Sequence, residues 1–319
     1  MKKIDEVCKI LIDYKSFALF THINADGDAI GSILGLGMSL EIAGKKVKYV
    51  VPEPVPVKFN FLKNFQLINK DAEKLSNIEV GILLDAADTN RIDELRSHLE
   101  GFGVTVNIDH HLTNGHFATV NFVDGNAPST TAIVLEILEH AHLPINADIS
   151  NALFAGLLTD TGSFHYPNAN RDAFLYGAKL LDYGADPAFI ANKIFEMDTM
   201  PHQKLLGLAL LRMEVTDRIA YSYIMRKDIE EFNASDEDTE GIIDVMRKIR
   251  DAEYIVLFKE TRKREVRVSL RGKNSADVRI IAEQFGGGGH RAAAGCTIGE
   301  QMQEAINEVL SLIKEIRKE

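Results

Sequence analysis

Four segments of this chain run apolar and then stop on an acid or a histidine. Residues 17–21 lead into His22-Ile23-Asn24-Ala25-Asp26-Gly27-Asp28, residues 79–84 into Asp85, residues 104–108 into Asp109-His110-His111, and residues 147–159 into Asp160. The first three segments are short enough to be strands, and helical spacings lie between them. Strands alternating with helices specify a mostly parallel sheet with helices on both faces. Ligands of such sheets bind beyond the carboxyl ends of the strands. Three of the four polar stops fall at such ends, so they should converge in space. The donor set is nitrogen and carboxylate oxygen without cysteine, which suits Mn²⁺, Mg²⁺ or Zn²⁺. Two such ions close together are a common means of splitting phosphate esters.

The spacing predicts helices over 4–14, 29–43, 90–99, 129–141 and 147–159, and strands over 17–21, 47–51, 79–84 and 104–108. Helices over 171–183, 186–195 and 201–212 follow. Beyond residue 213 the pattern changes to strand-like pieces at 213–217, 219–225, 253–259 and 264–271, a helix near 277–284 and a last helix over 300–317. The division expected is an α/β domain over 1–185, a helical connector over 186–212 and a smaller α/β domain over 213–319.

A length of 319 residues accommodates two domains, and 45% hydrophobic with 26% charged residues is the profile of a globular protein. The net charge of −11 argues against coating long duplex nucleic acid. It leaves room for a short anionic ligand in a local basic pocket. Cys8 and Cys296 form no framework and no metal spacing. Asp5 and Glu6 interrupt any signal-peptide core, and no apolar run approaches the ~20 residues that span a bilayer. A cytoplasmic protein without a membrane partner is the simplest expectation.

Each polar stop also has a bland meaning. Asp28 can cap the helix that follows it, Asp85 can be structural, and Asp160 can be a helix terminus. In 109–111, one histidine can ligate while its neighbour faces substrate, and Asp109 can orient a ring by accepting its remaining N–H. In the last part, period two puts Val266, Val268 and Leu270 toward a core and Arg267, Ser269 and Arg271 on the opposite face. Arginine forks there suit phosphate, although alternating charge also describes a solvated strand. Gly286 to Gly289, ahead of His290 and Arg291, could bring backbone N–H groups to an anion.

Together, His22-x-x-x-Asp26-x-Asp28, Asp85, Asp109-His110-His111 and Asp160 resemble the DHH phosphoesterase superfamily. Gly286-Gly287-Gly288-Gly289-His290 with Ala293-Ala294-Gly295 resembles its DHH-associated C-terminal domain. The resemblance covers nearly the whole chain, and the compact length is similar to the branch with NrnA-type oligoribonucleases and pAp phosphatases. It implies hydrolysis of oligoribonucleotides of a few residues, linear di-adenylate or pAp, with two divalent ions, usually Mn²⁺. His22 and Asp26 would hold one ion, and Asp28, His110 and Asp160 the other, with Asp85 bridging. Asp85, His111 and Asp109 would serve the chemistry. Arg267, Ser269, Arg271, Gly287, Gly288, Gly289, His290 and Arg291 would hold the nucleotide. The resemblance also admits a homodimer. The rival readings are a RecJ-like single-strand exonuclease and a nucleotide-binding regulator without catalysis.

Overall fold

The computed structural model describes residues 3–52, 55–69, 75 and 77–317. The chain divides into two compact units, residues 1–197 and 198–319.

The first unit opens with α1 (Lys3–Asp13), β1 (Ser16–Phe20), α2 (Gly27–Ile42) and β2 (Lys46–Val50). It continues with β3 (Ile68–Asn69), β4 (Val80–Leu84), α3 (Arg96–Glu100), β5 (Val104–Asp109) and β6 (Val120–Val123). Four helices close it: α4 (Thr130–His140), α5 (Ala147–Asp160), α6 (Arg171–Asp182) and α7 (Pro187–Phe195). Among the described residues its sheet has six strands in the order β3-β2-β1-β4-β5-β6, with every pairing parallel. The chain leaves β1 toward β2 on one side and returns with β4 on the other. The crevice at that reversal is where parallel α/β sheets bind ligands.

β1 and β4 are buried along their whole length, as continuous apolar runs in a parallel sheet must be. α1, α2, α4 and α5 share one core with Phe17, Leu19, Ile82 and Ile108. α2 is buried from Gly27 to Leu40. It approaches α5 closely because Gly31 carries no side chain: a Cβ there would lie 2.4 Å from the Ala152 carbonyl oxygen. The other sheet face, with Ala18, Phe20 and Leu83, is covered by Ile92, Leu95 and Leu99.

That cover differs from the helix expected over 90–99. Thr89–Leu95 is a run of 3₁₀ turns, and only Arg96–Glu100 is α-helical. Apolar residues three apart face one way in either helix type, so their spacing could not separate the two. β3 and β6 are strands that apolar periodicity did not reveal; β6 is only half-buried along its length.

The second unit holds α8 (Met200–Leu211), β7 (Glu214–Thr216), β8 (Ile219–Ile224), α9 (Arg226–Glu231), α10 (Ile242–Met246), β9 (Tyr254–Glu260) and β10 (Val266–Gly272). α11 (Arg279–Gln284), β11 (Gly288–His290), β12 (Ala293–Ile298) and α12 (Met302–Ile316) complete it. Its described strands form one mixed sheet in the order β11-β12-β10-β9-β8-β7, in which only β8 and β9 run parallel. Val256, Phe258, Val266, Val268 and Leu270 pack on the side of α11 and α12. Ile255 and Leu257 pack with Leu205, Ala209, Ile229 and Ile243 on the other side.

The helices expected as a separate connector are therefore divided between the units. Ile190 of α7 is buried in the first core, whereas Leu205 and Ala209 of α8 are buried in the second. Among the described residues, no helix is long and apolar enough to cross a membrane.

Candidate metal and phosphate site

The loop after β1 carries His22 and Asp26. His22 is 3% exposed, and its Nδ1 lies 2.8 Å from the Ile23 carbonyl oxygen. Its Nε2 faces Asp85 Oδ2 at 3.5 Å. Asp26 caps α2, with Oδ1 accepting from the Asp28 and Ala29 amides at 3.0 and 3.1 Å. That leaves its second oxygen for a ligand.

Asp28 lies in the first turn of α2 and does not cap it. Its carboxylate reaches the N-terminus of α4. Oδ2 accepts from the Thr130 amide at 2.6 Å, and Oδ1 from the Thr131 amide and hydroxyl at 2.9 and 2.8 Å. The first amides of a helix have no intrahelical acceptor and favour an anion. Asp85 follows β4 with a positive φ of 59°. Strain of this kind at a non-glycine residue is tolerated where the surroundings fix it and is characteristic of functional sites. Its Oδ1 accepts from the Thr130 hydroxyl at 2.9 Å.

His110 Nε2 stands 3.9, 3.7 and 3.8 Å from carboxylate oxygens of Asp28, Asp85 and Asp160. Asp160, at the end of α5, is held by Asn168, whose Nδ2 donates to its Oδ2 at 3.0 Å. His111 Nδ1 lies 2.7 Å from Asp109 Oδ1. Asp109 Oδ2 accepts from Asn114 Nδ2 at 2.6 Å, and Asn114 also donates to Asn107 at 2.7 Å. His110 and His111 lie beyond the strand, so they do not alternate across it as strand neighbours do. β5 ends at Asp109, the backbone turns, and the rings meet edge to face with centroids 4.7 Å apart.

Among the described residues, three groups of potential ligand atoms lie within 4.8 Å of one another: His22, Asp26 and Asp85; Asp28, His110 and Asp160; Asp85, His110 and His111. Asp85 belongs to two of them. Burial pushes the Asp28 and Asp85 carboxyls up, and neighbouring carboxylates push the same way. Asp160 is raised to about 7 by burial and by Asp28. Burial works against a charge on His110, but Asp28, Asp85 and Asp160 outweigh it and raise the ring to about 9. Burial lowers His22. Asp109 goes the other way: despite burial, its bonds to His111 and Asn114 hold it below the usual carboxylate range. Buried carboxylates crowded around imidazole nitrogens fit a divalent cation, which satisfies them all at once.

Asn114, Thr130, Thr131 and Asn168 were not singled out in the sequence. Asn114 carried a faint signal, since asparagine in a turn binds its own backbone: its Oδ1 accepts from the His116 amide at 2.8 Å. Asp88 makes a similar turn, accepting from the Asn90 amide at 2.7 Å.

In the second unit, Val266, Val268 and Leu270 are buried while Arg267 is exposed and Ser269 and Arg271 are half-buried, as period two requires. Arg271 is paired with Asp244, Nε to Oδ1 at 2.7 Å. The glycine run is not an open amide cradle. The Gly286 and Gly287 amides close the end of α11 on Glu283 and Ala282 carbonyls, and Gly288–His290 pair with β12 as an edge strand. These glycines serve close strand approach: a Cβ on Gly287 would lie 2.2 Å from the Gly295 carbonyl oxygen, and one on Gly289 2.6 Å from that of Ala293. Arg291 is exposed, and its Nη2 donates to the Ser275 carbonyl at 3.0 Å. The side chain of His290 lies outside the described residues.

The sequence matches the DHH family, N-terminal domain, over residues 16–158 and the DHHA1 domain over residues 216–319. It is 30% identical to the bifunctional oligoribonuclease and PAP phosphatase NrnA of Thermus thermophilus, covering 92% of this chain and 88% of that protein. It is 26% identical to the protein of that name from Bacillus subtilis, over 97% of this chain and 98% of the relative. The fold matches an exopolyphosphatase-related protein from Bacteroides fragilis with a TM-score of 0.92 and 25% identity, covering 99% and 98% of the two chains. It also matches RecJ of Thermus thermophilus in complex with Mn²⁺, with a TM-score of 0.61 and 14% identity, over 98% of this chain and 55% of RecJ. With a DHH domain whose strand ends carry this acid–histidine cluster and a DHHA1 domain following it in sequence, the chain belongs to the DHH superfamily, among its NrnA-type members.

Proposed function

We propose that this chain is a divalent-metal-dependent phosphoesterase that hydrolyses short nucleotide substrates to mononucleotides. Oligoribonucleotides of a few residues, pAp and linear di-adenylate are its substrate class. The observation that carries this reading is Asp85, shared between the His22–Asp26 set and the His110–His111 set at the strand ends. The names of the curated relatives, which join oligoribonuclease and PAP phosphatase, support it. His22 and Asp26 would hold one ion and Asp28, His110 and Asp160 a second, with Asp85 common to both. The mixed nitrogen and oxygen donors suit Mn²⁺.

Ions held there would offset charge on the phosphoryl oxygens and acidify water near them. The protein's own groups do the rest. Asp109 binds His111 at Nδ1 and thereby fixes the ring's orientation, which leaves Nε2 to pass a proton to the leaving oxygen. Thr130 and Thr131 keep Asp85 and Asp28 aimed inward. In the second unit, Arg267, Ser269, Arg271, Arg291 and His290 would be the nucleotide-binding groups, with Gly287 to Gly289 shaping the edge strand that carries His290. Arg267 is the more available cation, since Arg271 must release or share Asp244. Cys8 and Cys296 are free and buried, in keeping with a reducing cytoplasm.

The test is Mn²⁺-dependent turnover on pAp, linear di-adenylate, an RNA dinucleotide, a long single strand and pyrophosphate. Release of mononucleotide or phosphate from the short substrates is expected. Asp85→Asn should lower kcat/KM by at least about a hundredfold, since even groups behind a metal ligand are worth ten- to a hundredfold. Turnover of the long strand alone would move the chain to exonuclease work, and unchanged turnover in Asp85→Asn would remove the two-set mechanism.

A further inference from the structure

Arg91 lies in the 3₁₀ run that covers the sheet, next to the fully buried Ile92. Its carbonyl accepts from the Ile23 amide at 2.7 Å, which ties it to the loop carrying His22. Its guanidinium is half-buried, with Nη2 3.3 Å from His22 Nδ1. The same ring nitrogen lies 2.8 Å from the Ile23 carbonyl oxygen.

One nitrogen cannot serve both neighbours. A bare Nδ1 accepts from Arg91, and the proton then sits on Nε2, which faces Asp85 and cannot ligate a cation in that state. A protonated Nδ1 donates to Ile23 and leaves Nε2 free to ligate, which is the arrangement of a metal-bound histidine. In that arrangement Arg91 Nη2 faces another donor and has no acceptor. Among the described residues the guanidinium has no other hydrogen-bond or ion-pair partner. A half-buried guanidinium with no protein acceptor is then available to an anionic ligand.

We propose that Arg91 is a substrate-binding residue whose donors take a phosphate oxygen of the nucleotide once His22 ligates through Nε2. The planar fork of arginine matches phosphate, and the metal ligands around it are mostly anionic, so a multiply charged nucleotide needs such a counter-charge. Metal loading and phosphate capture are then coupled through one imidazole: the tautomer that the metal requires is the one that frees Arg91. This inference rests on the phosphoesterase reading given above.

The experiment compares the full-length protein with Arg91→Ala and Arg91→Lys by three measurements. They are kcat and KM on pAp, AMP binding to the Mn²⁺-loaded protein by equilibrium dialysis, and Mn²⁺ affinity by the same method. Arg91→Ala should weaken AMP binding and raise KM by about tenfold or more, the scale of one charge-assisted hydrogen bond, while Mn²⁺ affinity is kept. Arg91→Lys should recover part of the loss, because the charge remains and the fork does not. Unchanged AMP binding in Arg91→Ala overturns the inference. So does a fall in Mn²⁺ affinity as large as the fall in AMP binding, which would make Arg91 a support for His22. A wild-type protein idle on every substrate defeats the phosphoesterase reading instead, and AMP binding still decides the role of Arg91.

Discussion

Asp109 is fully buried, and both of its oxygens are used, one by His111 and the other by Asn114. Asn114 is in turn held against Asn107 and the Ala86 carbonyl, so the histidine ring is anchored through a chain of neutral amides. Asn114→Ala leaves a buried carboxylate oxygen without a donor and lets the His111 ring turn. We expect kcat on an RNA dinucleotide to fall roughly ten- to a hundredfold with KM and Mn²⁺ affinity close to wild type. In a His111→Ala background the same change should cost far less, because the two residues act as one unit; additive losses would break that link. The acids and histidines of the cluster were legible because their residue types are rare at the ends of apolar runs. Their neutral partners were not. Asparagine and threonine are ordinary in loops and helix starts, and Thr131 meets Asp28 from 103 residues away.

At the level of elements, α2 and α4 are joined through a charge. The α4 amides that grip Asp28 favour its anion, yet burial and the carboxylates beside it push the group up. Asp160 is raised from 3.8 to about 7 and His110 from 6.5 to about 9, so the metal-free fold keeps protons that the unfolded chain gives up. The sign follows: where the native state binds more protons, stability falls as pH rises. Asp160 works against the metal-free fold as pH climbs from 3.8 to about 7, and His110 does so from 6.5 to about 9. A divalent cation bound at the cluster would take the place of those protons. The rise in Tm on adding Mn²⁺ should therefore be larger at about pH 8 than at about pH 5.5, and calorimetry in buffers of different ionisation enthalpy should show proton release on binding. A Tm gain independent of pH would mean that the ion binds elsewhere. Element by element, the buried strands were legible because their apolar runs are continuous. β11 was hidden because glycines carry no periodicity, and its place at the sheet edge rests on pairing with β12.

For the molecule as a whole, composition changes near residue 213, and the sequence reading placed the second domain's start there. The structure puts the break earlier, at Asp198. A helix between two domains belongs to whichever core buries its apolar side, and no local pattern says which core that is. α8 is anchored in the second unit by Leu205 and Ala209, both fully buried, and by the Ser222 hydroxyl donating to the Ala209 carbonyl at 2.7 Å. Every buried residue of the two cores around the mixed sheet lies after residue 198. A fragment of residues 198–319 should therefore fold alone and melt cooperatively by circular dichroism. A fragment starting at Met213 should lose about 2–5 kcal/mol, because removing Leu205 uncovers the sheet side on which Ile255 and Leu257 pack. Equal melting of the two fragments would return α8 to the role of a connector and make residue 213 the start of the domain.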